Sequence, residues 1–177
     1  METFETIQTR RSIRVYENRA VDKTVLEEVL SAALLAPSWK NTQTAGYTVV
    51  QSPEMKEKIK EALPPYNQRI VSTAPVIVVM TTKHGRSGFE RDGSFSTKKE
   101  DRWEIFDAGI ACQTLCLAAW EKGLGSCIMG IYDEEKLPVL LNVPEDQIVT
   151  AVVALGYPAE TPVCPKRKTL EDKVRYV

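Results

Sequence analysis

Apolar residues recur along this chain at two different periods, and each change of period marks an element. Phe4 and Ile7 share one face of residues 3–9, which predicts a short opening helix. Over residues 22–35, Val25, Leu26, Val29, Leu30, Ala33 and Leu34 form one helical stripe, with Asp22 at the N-cap position and Pro37 past the end. Residues 47–51 read as a strand. A helix starts at about Glu54 and is broken at Pro64-Pro65, with one or two further turns over 67–72. Residues 75–80 (Pro-Val-Ile-Val-Val-Met) are a continuous apolar, β-branched run that suits a strand buried on both faces. The longest helix is predicted over 104–122. Cysteines aside, its only polar side chains between Ile105 and Trp120 are Asp107, Gln113 and Thr114. A helix apolar nearly all round is covered on most sides, here in part by a partner subunit. Strands follow at 126–129 and 148–155, with a helical stretch across 133–141 that Pro138 interrupts. Helices interleaved with about four strands predict an α/β or α+β fold in a single domain over residues 1–177.

Two polar stretches fall outside this pattern. Residues 82–102 carry Gly85, Gly88, Gly93 and mixed charge; a loop that long in a compact domain predicts a mobile lid. The tail, 158–177, is rich in proline and charge, with Lys166-Arg167-Lys168 at its centre.

Composition removes several function classes. The chain has 177 residues, with 23 Lys plus Arg against 24 Asp plus Glu, so its net charge is -1. No global field draws it to nucleic acid or an anionic membrane, and any anion site must be local. No apolar run is long enough for a membrane span, and the first residues show no signal peptide. Cys112, Cys116, Cys127 and Cys164 form no CxxC pair, and His84 is the only histidine, so no zinc site is expected. Cys112 and Cys116, four apart in an apolar helical stretch, read as small core residues, and a reduced, cytoplasmic protein fits best. The patterns GxxxxGK[ST] and GxGxxG are absent, and His84 lies in a polar, glycine-rich stretch, a poor place for a rigid base. If the chain is an enzyme, a bound cofactor carries its chemistry.

Four stretches hold candidate chemistry. Arg10-Arg11-Ser12-Ile13-Arg14 puts three guanidiniums and a hydroxyl in five residues, a donor set for a phosphate monoester. Equally, Arg10 and Arg11 suit the negative end of the first helix. Pro37, Ser38, Trp39 and Asn41 lie on a helix exit whose donors and acceptors suit a heterocycle edge or an ordinary turn. Met129 and Gly130 end a short strand, where glycine lets a ligand approach the backbone. Lys166, Arg167 and Lys168 are either a solvated run or the other half of a phosphate grip.

Taken in order, these stretches resemble the FMN-dependent nitroreductase family. The resemblance rests on Arg-Arg-Ser-x-Arg, then Ala-Pro-Ser-x-x-Asn-x-Gln about 25 residues on, a long helix running into Gly-Leu-Gly-Ser, a glycine after the next strand, and Arg-Lys-x-Leu-Glu in the tail. It implies an α+β fold, a mostly antiparallel mixed sheet flanked by helices, in an intertwined homodimer built on the long helix. The last residues, 174–177, would add a strand to the partner's sheet. Arg10 and Ser12, with Arg11 beside them, would serve the FMN phosphate and ribityl end. Arg167 would join them, with Lys166 or Lys168 nearby. Arg14 would sit at the flavin N1/O2 edge and Asn67 at the pyrimidine edge. Pro37, Ser38, Trp39 and Asn41 would close over the flavin from the other subunit, and Met129 and Gly130 would flank N5. The implied reaction is ping-pong, with NAD(P)H as hydride donor and a small acceptor such as a nitroaromatic or quinone. No residue need act as catalytic acid. The sequence departs from the family where Thr44-Ala45 follows Gln43 in place of Pro-Trp, and where Met129 replaces a common glutamate. A flavin- or haem-binding sensor or carrier without turnover is the alternative reading.

Overall fold

The computed structural model describes residues 2–177. Its helices are α1 (Thr3–Thr9), α2 (Lys23–Ala33), α3 (Pro53–Lys60), α4 (Pro65–Thr73), α5 (Arg102–Glu121), α6 (Lys136–Leu140) and α7 (Leu170–Lys173). Its strands are β1 (Ala45–Val50), β2 (Val76–Lys83), β3 (Gly125–Met129) and β4 (Gln147–Gly156). They form one sheet in the order β1-β2-β4-β3, and all three pairings are antiparallel. The expected parallel component is a single bridge, Ser12 to Ser126.

The central strand β2 organises the layers. Because successive side chains point to opposite faces, Ile77 and Val79 pack into one core with Ile59, Ile70 and Val71 of α3 and α4. Val76, Val78 and Met80 pack into a second core with Leu26 and Val29 of α2 and Ala111, Leu115 and Ala119 of α5. The sheet therefore lies between two helical layers, which is why β2 is apolar on both faces and buried as far as Thr82. The fold is α+β, as the resemblance implies.

Several boundaries differ from the sequence reading, each for a local reason. Pro64-Pro65 does more than end α3: Pro65 opens α4 at its first turn, where a missing N–H costs nothing. Asp22 occupies the N-cap of α2, but its side chain makes no capping hydrogen bond. The tail holds an unforeseen turn of helix, α7, closed by a capping box between Thr169 and Asp172. The predicted lid loses Thr82 and Lys83 to β2 and Arg102 to α5, leaving residues 84–101 as the loop.

Candidate functional site

Helix α1 ends at Thr9, and Arg10 turns the chain to extended backbone. The Ile13 N–H then donates to the Ser126 carbonyl at 2.9 Å, laying this segment along β3. Alternation does the rest. Ile13 is fully buried, so Ser12 and Arg14 face the other way. The contact is close because residue 125 is glycine: a Cβ there would sit 2.5 Å from Ile13 Cγ1.

The tail completes the cleft. Tyr157 O accepts from Glu17 N at 2.9 Å and Ala159 N donates to Val15 O at 3.0 Å. The Glu160 carboxylate accepts from the backbone of Arg14 at 2.5 Å and of Val15 at 3.2 Å. The chain is thereby led back, and Arg10, Arg11, Ser12, Arg14 and Arg167 line one cleft of about 240 Å³ with Pro162 and Pro165. Arg11 is partly committed elsewhere. Its guanidinium donates to the carbonyls of Gln8 at 2.7 Å and Arg10 at 2.8 Å, so it closes the end of α1 while bordering the cleft. Arg14 donates to Ser12 O at 3.3 Å. Burial pushes the Cys127 thiol up, and the Arg14 and Arg10 charges oppose that shift, so their field reaches β3. Lys166 and Lys168 are exposed and lie outside the lining.

A second group forms around residues 37–43, where Trp39–Asn41 make one 3-10 turn. Lys40, Asn41 and Gln43 have φ of 44°, 56° and 51°. Left-handed backbone costs a non-glycine residue about 1 kcal/mol or more, so something must hold this loop. The Ser38 hydroxyl accepts from Gln43 N at 2.9 Å. The larger anchor is Asp107 of α5, only 3% exposed. Its Oδ2 accepts from Trp39 N at 2.9 Å and from the Ser87 hydroxyl at 2.6 Å. Ser87 in turn pairs with the Thr42 hydroxyl at 2.7 Å. One turn earlier on α5, Glu104 is equally buried; it accepts from Gly85 N at 2.7 Å and lies 3.0 Å from His84 Nδ1. Two buried acids three residues apart thus tie both loops to α5. Trp39 packs on Trp103 at 4.4 Å between centroids, and Lys40 reaches Glu90 at 3.0 Å. Pro37 and Ser38 line a small cavity of about 90 Å³ with Thr44, Tyr47 and Asp107, apart from the arginine cleft. Burial pushes the Tyr47 hydroxyl up to about 12.

The remaining candidates lie elsewhere. Gly130 is exposed just past β3, with nothing within 4 Å of where a Cβ would stand, and it borders a cavity of about 580 Å³ with Tyr132, Ile148 and Thr150. The Met129 side chain is buried in the core. Asn67 is buried too, and its Nδ2 donates to Ile131 O at 3.0 Å, fixing the residue beside Gly130. Five of the predicted residues therefore share one cleft, and the rest fall in separate places on a single chain. Sequence reasoning missed Asp107, Glu104 and Ser87 as anchors. The signal was two acids three apart on an otherwise apolar helix, since a buried carboxylate needs donors.

The Nitroreductase family profile matches residues 7–64 and 61–157. The chain belongs to the nitroreductase family. It is an oxidoreductase, in keeping with an Archaeoglobus fulgidus relative that bears the provisional name NADH dehydrogenase/NAD(P)H nitroreductase. That relative is 36% identical over 163 residues, covering 90% of this chain and 87% of its own. Among solved structures, a nitroreductase family protein of Clostridium novyi NT superposes with TM-score 0.78 at 28% identity, over 89% of this chain and 87% of that one. A Desulfovibrio desulfuricans structure in complex with FMN superposes with TM-score 0.80 at 24% identity, over 100% of this chain and 98% of that one. Among the described residues, no helix is long and apolar enough to cross a membrane, and no cluster of His, Cys, Asp and Glu is arranged to hold a metal.

Proposed function

We propose that this nitroreductase binds FMN at the Arg10–Arg14 cleft and reduces a small acceptor with electrons from NAD(P)H. The observation that carries this reading is the cleft itself. It gathers Arg10, Ser12, Arg14 and Arg167 from both ends of the chain, and neither Arg10 nor Arg167 has an ion-pair partner among the described residues. The Glu160 carboxylate, beside Arg14, is taken up by backbone N–H groups. Such a donor set fits one phosphate monoester, and family membership together with an FMN-bound structural neighbour supports FMN as its carrier. When bound, FMN supplies hydride chemistry, taking electrons from NAD(P)H and passing them to an acceptor such as a nitroaromatic or quinone in a separate half-reaction.

The chain's own part is to grip, orient and cover. Arg10, Ser12 and Arg167 hold the phosphate end, with Arg11 at the rim. Arg14, set apart by one turn of extended chain, places its cation toward the ring edge and favours the reduced, more negative form. Asn67 steadies the turn at Gly130, where open space lets a ring approach the backbone. Pro37, Ser38, Trp39 and Asn41 line no part of this cleft in one chain, so they cover the flavin of a second copy. The apolar groove between α5 and the sheet supports such a homodimer: Ile105 and Ile128, on its walls, are 56% and 49% exposed in the single chain. Residues 84–101, tied to the covering loop, act as a lid at the same mouth. The protein works in the cytoplasm.

The test is a visible spectrum of the purified protein, FMN release on denaturation, and anaerobic titration with each nicotinamide. A yellow dimer that releases FMN and bleaches with NADH or NADPH is expected. A colourless protein that cannot be reconstituted with FMN would overturn the cofactor. A yellow protein that neither nicotinamide reduces would favour a flavin carrier.

A further inference from the structure

Beside the covering loop lies a cavity of about 370 Å³ that none of the preceding roles uses. It is lined by Thr42, Gly85, Arg86, Phe89, Glu90 and Arg91. Its volume is within the range of small-molecule sites. The loop that carries it is charge-balanced. Residues 84–101 hold Arg86, Arg91, Lys98 and Lys99 against Glu90, Asp92, Glu100 and Asp101, so any positive character is local to the cavity. There, the one acid in the lining is already neutralised. Glu90 accepts from the Ser96 hydroxyl and pairs with Lys40 at 3.0 Å. Neither Arg86 nor Arg91 has an ion-pair or side-chain hydrogen-bond partner among the described residues. Two free guanidiniums therefore face a space whose own negative charge is cancelled.

The cavity has one wall anchored to α5. The residues flanking Arg86 are fastened to α5: Gly85 N donates to Glu104 at 2.7 Å, and Ser87 donates to Asp107 at 2.6 Å. On the far side, Glu90 N donates to Ser94 O at 2.8 Å, closing the turn that presents Arg91. Phe89 lies between the two arginines in sequence, half-buried, and packs on Phe95 at 4.9 Å. His84 meets the Phe89 ring at 5.7 Å, and Phe89 is the aromatic side chain in the cavity lining. Thr42 in the lining follows directly on Asn41, so the cavity opens beside the loop that covers the flavin in the proposed function.

We propose that Arg86 and Arg91 bind the 2′-phosphate of NADPH, with Phe89 against the adenine, and so make this nitroreductase prefer NADPH to NADH. This rests on NAD(P)H being the donor. The chemistry matches because a phosphate monoester carries close to two charges, takes bidentate guanidinium contacts, and is the one group that distinguishes the two donors.

The test is calorimetric titration of the FMN-loaded protein with adenosine 2′,5′-bisphosphate and with adenosine 5′-monophosphate. The bisphosphate should bind at least about tenfold tighter, a gap of 1.4 kcal/mol. Arg86→Ala or Arg91→Ala should each remove most of that difference, and should raise KM for NADPH about tenfold more than KM for NADH. Lys98→Ala, which alters a cation of the same loop outside the cavity, should leave the NADPH to NADH ratio as it was. Equal affinity for the two nucleotides, or a ratio as sensitive to Lys98→Ala as to Arg86→Ala, would overturn the site. Because the titration needs no turnover, it separates failure of this site from failure of the proposed reaction. Bisphosphate binding lost in both arginine variants supports the site even in a protein that oxidises neither donor.

Discussion

The segment 10–14 and the loop 37–43 are both short, polar and placed just after a helix, yet they handle charge in opposite ways. Around Arg10 and Arg14 the backbone is relaxed and extended, and the guanidiniums line an open cleft with no acid committed to neutralising them. Around Trp39 the backbone is strained, and the Trp39 backbone N–H and the Ser87 and Thr42 hydroxyls are satisfied internally through Asp107, while the buried Trp39 indole N–H has no partner among the described residues. The first region leaves its electrostatic energy available to a ligand. The second uses its own to hold a shape. A site that must both grip an anion and position a cover against a ring needs one region of each kind, because a group paired inside the protein has little left to offer a ligand.

The sharpest way to break that comparison is Asp107→Ala. It leaves the Trp39 N–H and Ser87 hydroxyl without their acceptor and releases three left-handed residues. Apo-protein stability should fall by about 3 kcal/mol, or roughly 6–12 °C in Tm. FMN and riboflavin binding should weaken by the same factor, since the phosphate cleft is untouched. If FMN affinity falls and riboflavin affinity does not, Asp107 acts on the cleft and the division between the regions is wrong.

Gly125→Ala comes next. The new methyl would press on Ile13, and overpacking of this kind costs about 2 kcal/mol. Because Ile13 stands between Ser12 and Arg14, FMN affinity should fall several-fold as well, a coupling visible when melting and binding are measured on the same variant.

A smaller effect separates Arg10 from Arg14 within the cleft. Arg10→Ala should loosen FMN about tenfold with the apo-protein Tm and the flavin potential almost unshifted, since a phosphate's charge does not change on reduction. Arg14→Ala should lower the potential by ~30 mV, equivalent to about 1.4 kcal/mol for the two-electron couple. Spectroelectrochemical titration of both variants checks this; equal shifts would refute the assignment of Arg14 to the ring.

The smallest effect belongs to the exposed contact at Glu90. The Ser96 hydroxyl and the Lys40 ammonium hold its carboxyl below the usual range. A lowered folded pKa means that the contact's contribution is complete above the ordinary glutamate value of about 4.3 and is lost as pH falls through the folded value. Amide exchange in residues 84–101 should therefore stay constant from neutral pH down to about 5, after correction for intrinsic rates, and quicken only below. In Glu90→Gln the acid step should vanish. An acid step surviving the substitution would assign it to another group and remove Glu90 from the account.

The sequence by itself determined the layers and the order of the motifs. Period-2 and period-3.6 patterns are local properties of a chain: Val76 to Met80 alternate between two cores because adjacent side chains on a strand must diverge, whatever else surrounds them. The arginine motif was legible for the same reason, since five adjacent residues on extended chain keep their spacing. What only the tertiary structure decided is which distant groups meet. Arg167 enters the cleft and Lys166 and Lys168 stay out because Glu160 pins the tail on the backbone of Arg14 and Val15. Arg11 turns back to the end of α1 while Arg10 lines the cleft, a choice between the two roles that the motif left open. Asp107 serves a loop 68 positions away. These contacts pair one donor with one acceptor across the fold, and a single partner far along the chain leaves no period behind to be read.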